Sequence, residues 1–130
     1  LGTYDSGLVR YDGNTFRHIG QAEGLAGTQV RSVMPARDGT LWVGTTNGLN
    51  RFRDGVSQRF GREHGLPREY IFALHEDKAG RIWVGTTAGA ARFEHNRFET
   101  VEVPRDQAMR DVFDFHETDD GTIYAATSDG

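Results

Sequence analysis

Hydrophobic residues in this chain gather in short clusters separated by turn-forming residues, and no stretch keeps the i, i+3, i+4 spacing of a helix face. The clusters read as strands. From Val30 the pattern predicts four of them: Val30 to Met34, Thr40 to Thr45, Leu49 to Phe52, and a fourth near Ser57 to Phe60. Turns fall at Ala36-Arg37-Asp38-Gly39, at Thr46-Asn47-Gly48 and at Arg53-Asp54-Gly55, the first suited to a tight hairpin through its Asp-Gly pair. A connection from Gly61 to Tyr70 leads to the next strand. The cores Leu41-Trp42-Val43 and Ile82-Trp83-Val84 show no polar alternation, which predicts strands buried on both faces.

The same pattern returns every 41 residues. Leu41-Trp42-Val43-Gly44-Thr45 recurs as Ile82-Trp83-Val84-Gly85-Thr86 and, altered, as Ile123-Tyr124-Ala125-Ala126-Thr127. Gly7, Gly48, Gly89 and Gly130 keep that interval, as do Gly39, Gly80 and Gly121; Val30, Ile71 and Val112; Arg10, Arg51 and Arg92; and Tyr11, Phe52 and Phe93. Four up-and-down strands per ~40 to 45 residues with an aromatic-Gly signature predict an all-β chain of β-propeller blades. Trp42 and Trp83 are then expected to fill the space between blades, and Gly44 and Gly85 to permit close approach of backbone. The three arginines are expected to brace blades by pairing with carbonyls or carboxylates.

Composition narrows the function. The chain has 130 residues with 17 Gly, 3 Pro and no Cys, which removes disulfide frameworks, Cys zinc sites and thiol catalysis. Its net charge of −4 lacks the basic footprint of a nucleic-acid binder, so no nucleic-acid partner is expected. The longest aliphatic-aromatic run, Ile71 to Leu74, is far short of the ~18 to 20 apolar residues that span a bilayer, so no direct membrane contact is expected either.

The motifs resemble the two-component regulator propeller repeat. Gly65-Leu66-Pro67, Asp77-Lys78-Ala79-Gly80 and Ile82-Trp83-Val84-Gly85-Thr86 carry the resemblance in one unit; Gly24-Leu25, Asp38-Gly39, Leu41 to Thr45 and Gly48-Leu49-Asn50-Arg51-Phe52 carry it in the unit before. The third unit departs from it, with Asp106-Gln107 for Gly-Leu and Tyr124-Ala125-Ala126 for Trp-Val-Gly; Gly89-Ala90-Ala91 also lacks the Leu. The resemblance implies a sensor segment of a bacterial signalling protein such as a hybrid histidine kinase, in a periplasmic or other extracytoplasmic setting.

Residues 1–130 are read as one propeller segment: 1–20 the last two strands of a blade, 24–60 and 65–102 complete blades, and 106–130 the first two strands of another. These are about three blade-equivalents and twelve strands, whereas propellers close with ~4 to 8 blades. Completion is expected from missing sequence or from a second copy. Two copies paired head to tail would make six blades, so a ring-shaped homodimer is the expected partner arrangement.

Strand parity places the loops Gly20 to Gln29, Gly61 to Tyr70 and Val103 to Asp111 on one face, with Tyr4 to Ser6, Thr46-Asn47 and Thr87-Ala88. Gln29, Arg31, Asn47, Arg68, Glu69, Tyr70, Arg110 and Asp111 are polar, differ between units, and surround the start of the innermost strands. They form either a ligand mouth for a small polar ligand or glycan, with Tyr70 stacking and Arg68 or Arg110 hydrogen-bonding, or a solvated rim. Glu117, Asp119 and Asp120 sit in an Asp-Gly hairpin, where turn chemistry accounts for them. His75 and His116 lie one period apart, where the first unit has Met34, so packing explains them better than a metal site; His18, His64 and His95 share no site-like spacing. Asp114 with His116 is the nearest approach to an acid-base pair, and no Gly-x-Ser-x-Gly, phosphate-binding Gly loop or His-Glu-x-x-His occurs. No catalytic residue, metal or cofactor is therefore assigned. The expected function is a non-catalytic sensor or ligand-binding segment; the alternative is a structural propeller whose role is assembly.

Overall fold

Each turn read from the sequence separates two antiparallel strands. The computed structural model describes residues 8–11, 13–19, 29–54, 56–94, 96–101 and 111–127. Strands β1 (Leu8–Tyr11) and β2 (Phe16–Ile19) form a two-stranded sheet. β3 (Val30–Pro35), β4 (Leu41–Thr45), β5 (Gly48–Arg53) and β6 (Val56–Phe60) pair in chain order into a four-stranded meander. β7 (Ile71–Glu76), β8 (Ile82–Thr86), β9 (Gly89–Glu94) and β10 (Arg97–Thr100) repeat it, and β11 (Val112–Glu117) pairs with β12 (Ile123–Thr127). A 3-10 turn, Arg62–His64, lies in the connection between the two meanders. The predicted strands agree with these to within one or two residues.

Local chemistry explains the repeat columns. In each Asp-Gly-type hairpin the residue closing the loop is a glycine with positive φ, 90° at Gly39, 87° at Gly80 and 88° at Gly121, a conformation that disfavours any Cβ. Thr45 and Thr86 are fully buried and close the turn at the opposite end: each hydroxyl donates to a glycine carbonyl, Gly48 at 2.9 Å and Gly89 at 2.8 Å, and accepts from the N–H two residues on.

The core lies between successive sheets. Trp42, Leu49 and Phe60 of the first meander meet Ile71, Ile82, Val84, Ala91 and Phe98 of the second, while Leu8 packs with Val30 and Val43, and Ala73 and Ala90 with Val112 and Phe115. Each large apolar side chain so buried contributes ~1.5 to 3 kcal/mol. Trp42 and Trp83 do fill the space between blades, Trp42 with its ring centroid 5.2 Å from Phe93 and Trp83 6.1 Å from Phe115. A Cβ at Gly44 would lie 2.5 Å from Ile71 Cγ2, and one at Gly85 2.5 Å from the Val112 carbonyl oxygen, so glycine is what lets the sheets approach this closely.

The arginine column behaves differently from its expectation. The Arg51 guanidinium lies 5.6, 5.2 and 5.5 Å from the ring centroids of Trp42, Phe60 and Phe93 and donates to Gln58 Oε1; Arg92 lies 5.5 Å from that of Trp83. Stacking on rings is the main bracing contact, because the inter-sheet space is aromatic and a guanidinium is weakly hydrated enough to be covered there. Among the described residues a carboxylate approaches this column only at Arg92, 3.9 Å from Glu94.

Candidate functional site

β3, β7 and β11, the first strands of successive blades, lie side by side. All three carry the same irregularity. Pairing runs from Val30↔Thr45 to Ser32↔Gly44, from Ile71↔Thr86 to Ala73↔Gly85, and from Val112↔Thr127 to Asp114↔Ala126, leaving one extra residue on the first strand each time. These are β-bulges, and the extra residues are Arg31, Phe72 and Phe113. A bulge re-aims a side chain out of the ladder, and here three in register set a row across neighbouring blades.

The row is continuous. The Phe72 and Phe113 ring centroids lie 4.9 Å apart, Tyr70 packs on Phe72 at 4.8 Å, and the Arg31 guanidinium sits 5.6 Å from the Phe72 centroid and 5.9 Å from that of Tyr70. Arg31 is exposed, Tyr70 and Phe72 are half-buried, and Phe113 keeps 47% of its surface open. The arrangement offers an exposed ring face for a flat or ring-shaped group and a cation at the other end.

Of the residues expected at this mouth, Arg31 and Tyr70 are brought together. Glu69 and Asn47 are joined through Arg59, whose guanidinium donates to Glu69 Oε2 and, at 3.2 Å, to the Asn47 carbonyl. Arg68 folds back on the Pro67 carbonyl at 3.1 Å, and the Gln29 carbonyl accepts from the Thr46 N–H at 3.2 Å. Asp111 directly precedes β11. Arg110 lies outside the described residues, as do Tyr4 to Ser6, residues 20–28 and 103–110 of the long-loop face, and His95. Phe72 and Phe113 were missed by sequence reasoning. Their signal was available: position 31 reads Arg, Phe, Phe in successive units while its neighbour stays Val, Ile, Val.

On the opposite face the hairpins latch each blade to the next. The Arg37 N–H donates to Glu76 Oε1 at 3.0 Å and its guanidinium to the Asp77 carbonyl; one period later the Lys78 N–H donates to Glu117 Oε1 at 3.0 Å and its ammonium to the Thr118 carbonyl at 2.9 Å. His75 joins the second latch, its Nε2 3.3 Å from Glu117 Oε1. Asp120 serves its own turn, accepting from the Thr118 hydroxyl and the Thr122 N–H. Asp114 and His116 do share a face, with Tyr124 beside them.

Asp77 is the most enclosed carboxylate described, 1% exposed. Its Oδ1 accepts from the Ala79 and Arg81 N–H groups, and its Oδ2 from Arg81 Nε and Trp83 Nε1, both at 2.8 Å. Burial works to raise its pKa, but the Trp83 and Arg81 hydrogen bonds and the Arg81 charge outweigh it and hold the carboxyl below its ordinary 3.8.

Comparison with known proteins agrees with this architecture. The extracellular domain of BT3049 from B. thetaiotaomicron, described as a hybrid two component system, superposes with a TM-score of 0.84 at 27% identity, covering 97% of this chain and 18% of that one. That of BT4673 from the same organism, described as a one component system, gives 0.79 at 25% identity over 95% of this chain and 17% of its own. PorZ, a surface component of the type-IX secretion system of Porphyromonas gingivalis, shares the fold alone, with a TM-score of 0.67 at 15% identity over 98% of this chain and 22% of its own. The chain thus spans less than a quarter of the length of each. No curated protein matches it. Residues 24–47 and 65–88 each match the family described as two component regulator propeller, a match that takes in the first two strands of each complete meander.

Proposed function

We propose that this chain is a non-catalytic ligand-sensing segment of an extracytoplasmic signalling propeller, and that it reads a small polar ligand along the row Arg31, Tyr70, Phe72 and Phe113. The observation that carries this reading is the set of bulges in register, which turn two rings and a guanidinium out of the innermost strands. Phe113 is the stacking platform, since it is the most open ring of the row, whereas Tyr70 is half-buried and already meets Phe72 and Arg31. A sugar ring, apolar on one face and hydroxylated at its edge, suits such a surface. A thermal-shift screen against sugars and metabolites identifies the ligand, because a ligand that binds only the folded state raises the melting temperature. Phe113→Ala and Arg31→Ala then each weaken it about tenfold or more; unchanged affinity in both removes the site.

A second reading, assembly with another copy of the chain, draws support from exposed aromatic residues on β12 and β1. Tyr124 and Tyr11 are 61% and 55% exposed. In both complete blades the Trp column pairs with the Arg column, Trp42↔Arg51 and Trp83↔Arg92, and the same register in an assembled blade would set Tyr124 opposite Arg10 of a second copy. The chain has no Cys, so Tyr124→Cys with Arg10→Cys reports this register directly. Disulfide-linked dimers are the expected product, and a monomer under oxidising conditions rejects the assembly.

A further inference from the structure

The outer rim between the two complete blades holds a groove that the axial row does not use. One open cavity of about 640 Å³ is lined by the 3-10 turn Arg62–His64 on one side and by Asn96 and Arg97 at the β9–β10 hairpin on the other, with Phe60 and Phe98 forming an apolar floor. A second, of about 380 Å³, adjoins it through the shared residues Gln58 and Asn96 and adds Arg51 and Arg53. Four arginines and two carboxylates, Asp54 and Glu63, line the pair of cavities, in a chain whose net charge is −4.

In the larger cavity, which Asp54 does not line, the hydrogen-bonding groups left over are mainly donors. Arg62 and Arg97 are exposed and have no carboxylate partner among the described residues, and they come from opposite sides of the seam. Gln58 has its carbonyl oxygen occupied by Arg51, which leaves its amide N–H₂ to give. His64 Nδ1 accepts the Gly61 N–H at 3.0 Å, so in the neutral ring the proton is on Nε2, which is then a donor. The same bond makes the 3.5 Å approach of Nδ1 to Glu63 a contact without a shared proton while His64 is neutral. Glu63 itself is engaged by Arg59 at 3.3 Å. In the larger cavity a lining rich in such donors, whose one carboxylate, Glu63, is already engaged, is complementary to a group that only accepts.

We propose that this inter-blade groove binds an oxyanion, a carboxylate, sulfate or phosphate group, clamped between Arg62 and Arg97 with Gln58, Asn96 and His64 Nε2 donating to the atoms around it. Guanidinium forks suit such groups because two parallel N–H bonds meet two oxygens. The proposal does not depend on the axial row. Phosphate, sulfate and acetate, titrated separately at constant ionic strength and followed by amide NMR, are the probes. At least one of them is expected to shift the resonances of residues 58, 62–65 and 96–98 in a saturable way, and which one does so names the oxyanion. Arg62→Gln combined with Arg97→Gln should weaken that binding about tenfold or more, whereas Arg31→Ala and the remote Arg10→Gln should leave it unchanged. Shifts that persist in the double variant, or that fall equally in Arg10→Gln, overturn the proposal, as does the absence of a saturable shift with every probe.

Discussion

Trp42 and Trp83 occupy the same position in two successive blades and are held there by different forces. Trp42 is 3% exposed and sits in a ring cluster, with centroid distances of 5.2 Å to Phe93, 5.9 Å to Phe60 and 6.3 Å to Phe98, and the Arg51 guanidinium over its face. Trp83 is only half-buried, meets Phe115 at 6.1 Å, and is anchored by its indole N–H on Asp77. The first blade has Ala36 where the second has Asp77. One fold position can therefore be secured by dispersion and burial or by a polar tether, and the repeat column alone does not say which.

The largest expected effect tests the packed side. Trp42→Ala should cost ~3 to 5 kcal/mol in urea denaturation, the range for removing a fully buried large aromatic, and Trp83→Ala clearly less, because part of its surface is already in water. Equal losses would mean that the two residues are held alike. Asp77→Ala comes next at ~3 kcal/mol, since it strands four donors at once, and the loss should be reduced by adding Trp83→Phe, which removes one of them. A double variant no better than the single one would take Trp83 out of the tether.

The tether also has a pH signature that the packed side lacks. Because Asp77 is held below 3.8 in the folded state, the unfolded chain binds its proton more readily. Its contribution is complete above the unfolded value of ~3.9 and is lost as pH falls through the lower folded one. The urea midpoint should therefore fall as pH is taken below ~5, and the fall should be shallower in Asp77→Ala. It should not vanish, because the Thr40 N–H holds Asp38 low and the Thr118 hydroxyl holds Asp120 low. Identical profiles for the parent and the variant would contradict the geometry at Asp77.

Much of this fold could be read in advance because propeller blades repeat their packing solutions. A glycine with positive φ in a hairpin, a threonine closing a turn and a glycine under the next strand each reappear after 41 residues, so the columns themselves reported the architecture. The candidate site was less legible for the opposite reason. Its residues are the ones that do not repeat, and Phe72 and Phe113 look like ordinary strand hydrophobics until the pairing shows that each is the extra residue of a bulge. Arg51 likewise carries no mark in the sequence that separates a ring-stacked guanidinium from an ion-paired one.

The smallest expected effects concern the two hairpin latches, which sharpen the comparison at the blade junctions. Both use a glutamate to accept the turn N–H of the preceding blade, but the Glu117 side chain is 9% exposed and also meets His75, whereas Glu76 is 15% exposed and has Arg37, itself 60% exposed, as its ionic partner at 3.3 Å. An exposed guanidinium contributes little after solvent screening, and the Asp77 carbonyl it also reaches keeps the Gly80 N–H as a donor, so Arg37→Ala should cost no more than ~0.5 kcal/mol. Glu76→Ala and Glu117→Ala each leave a turn N–H without its acceptor, at ~1 kcal/mol and ~1.5 kcal/mol. Raising salt should shrink the Arg37→Ala effect and leave most of the Glu117→Ala effect in place, because the first is mainly charge and the second mainly a backbone hydrogen bond. If salt erased both equally, the latch would be an electrostatic contact only, and the junction after the second blade would be no firmer than the one before it.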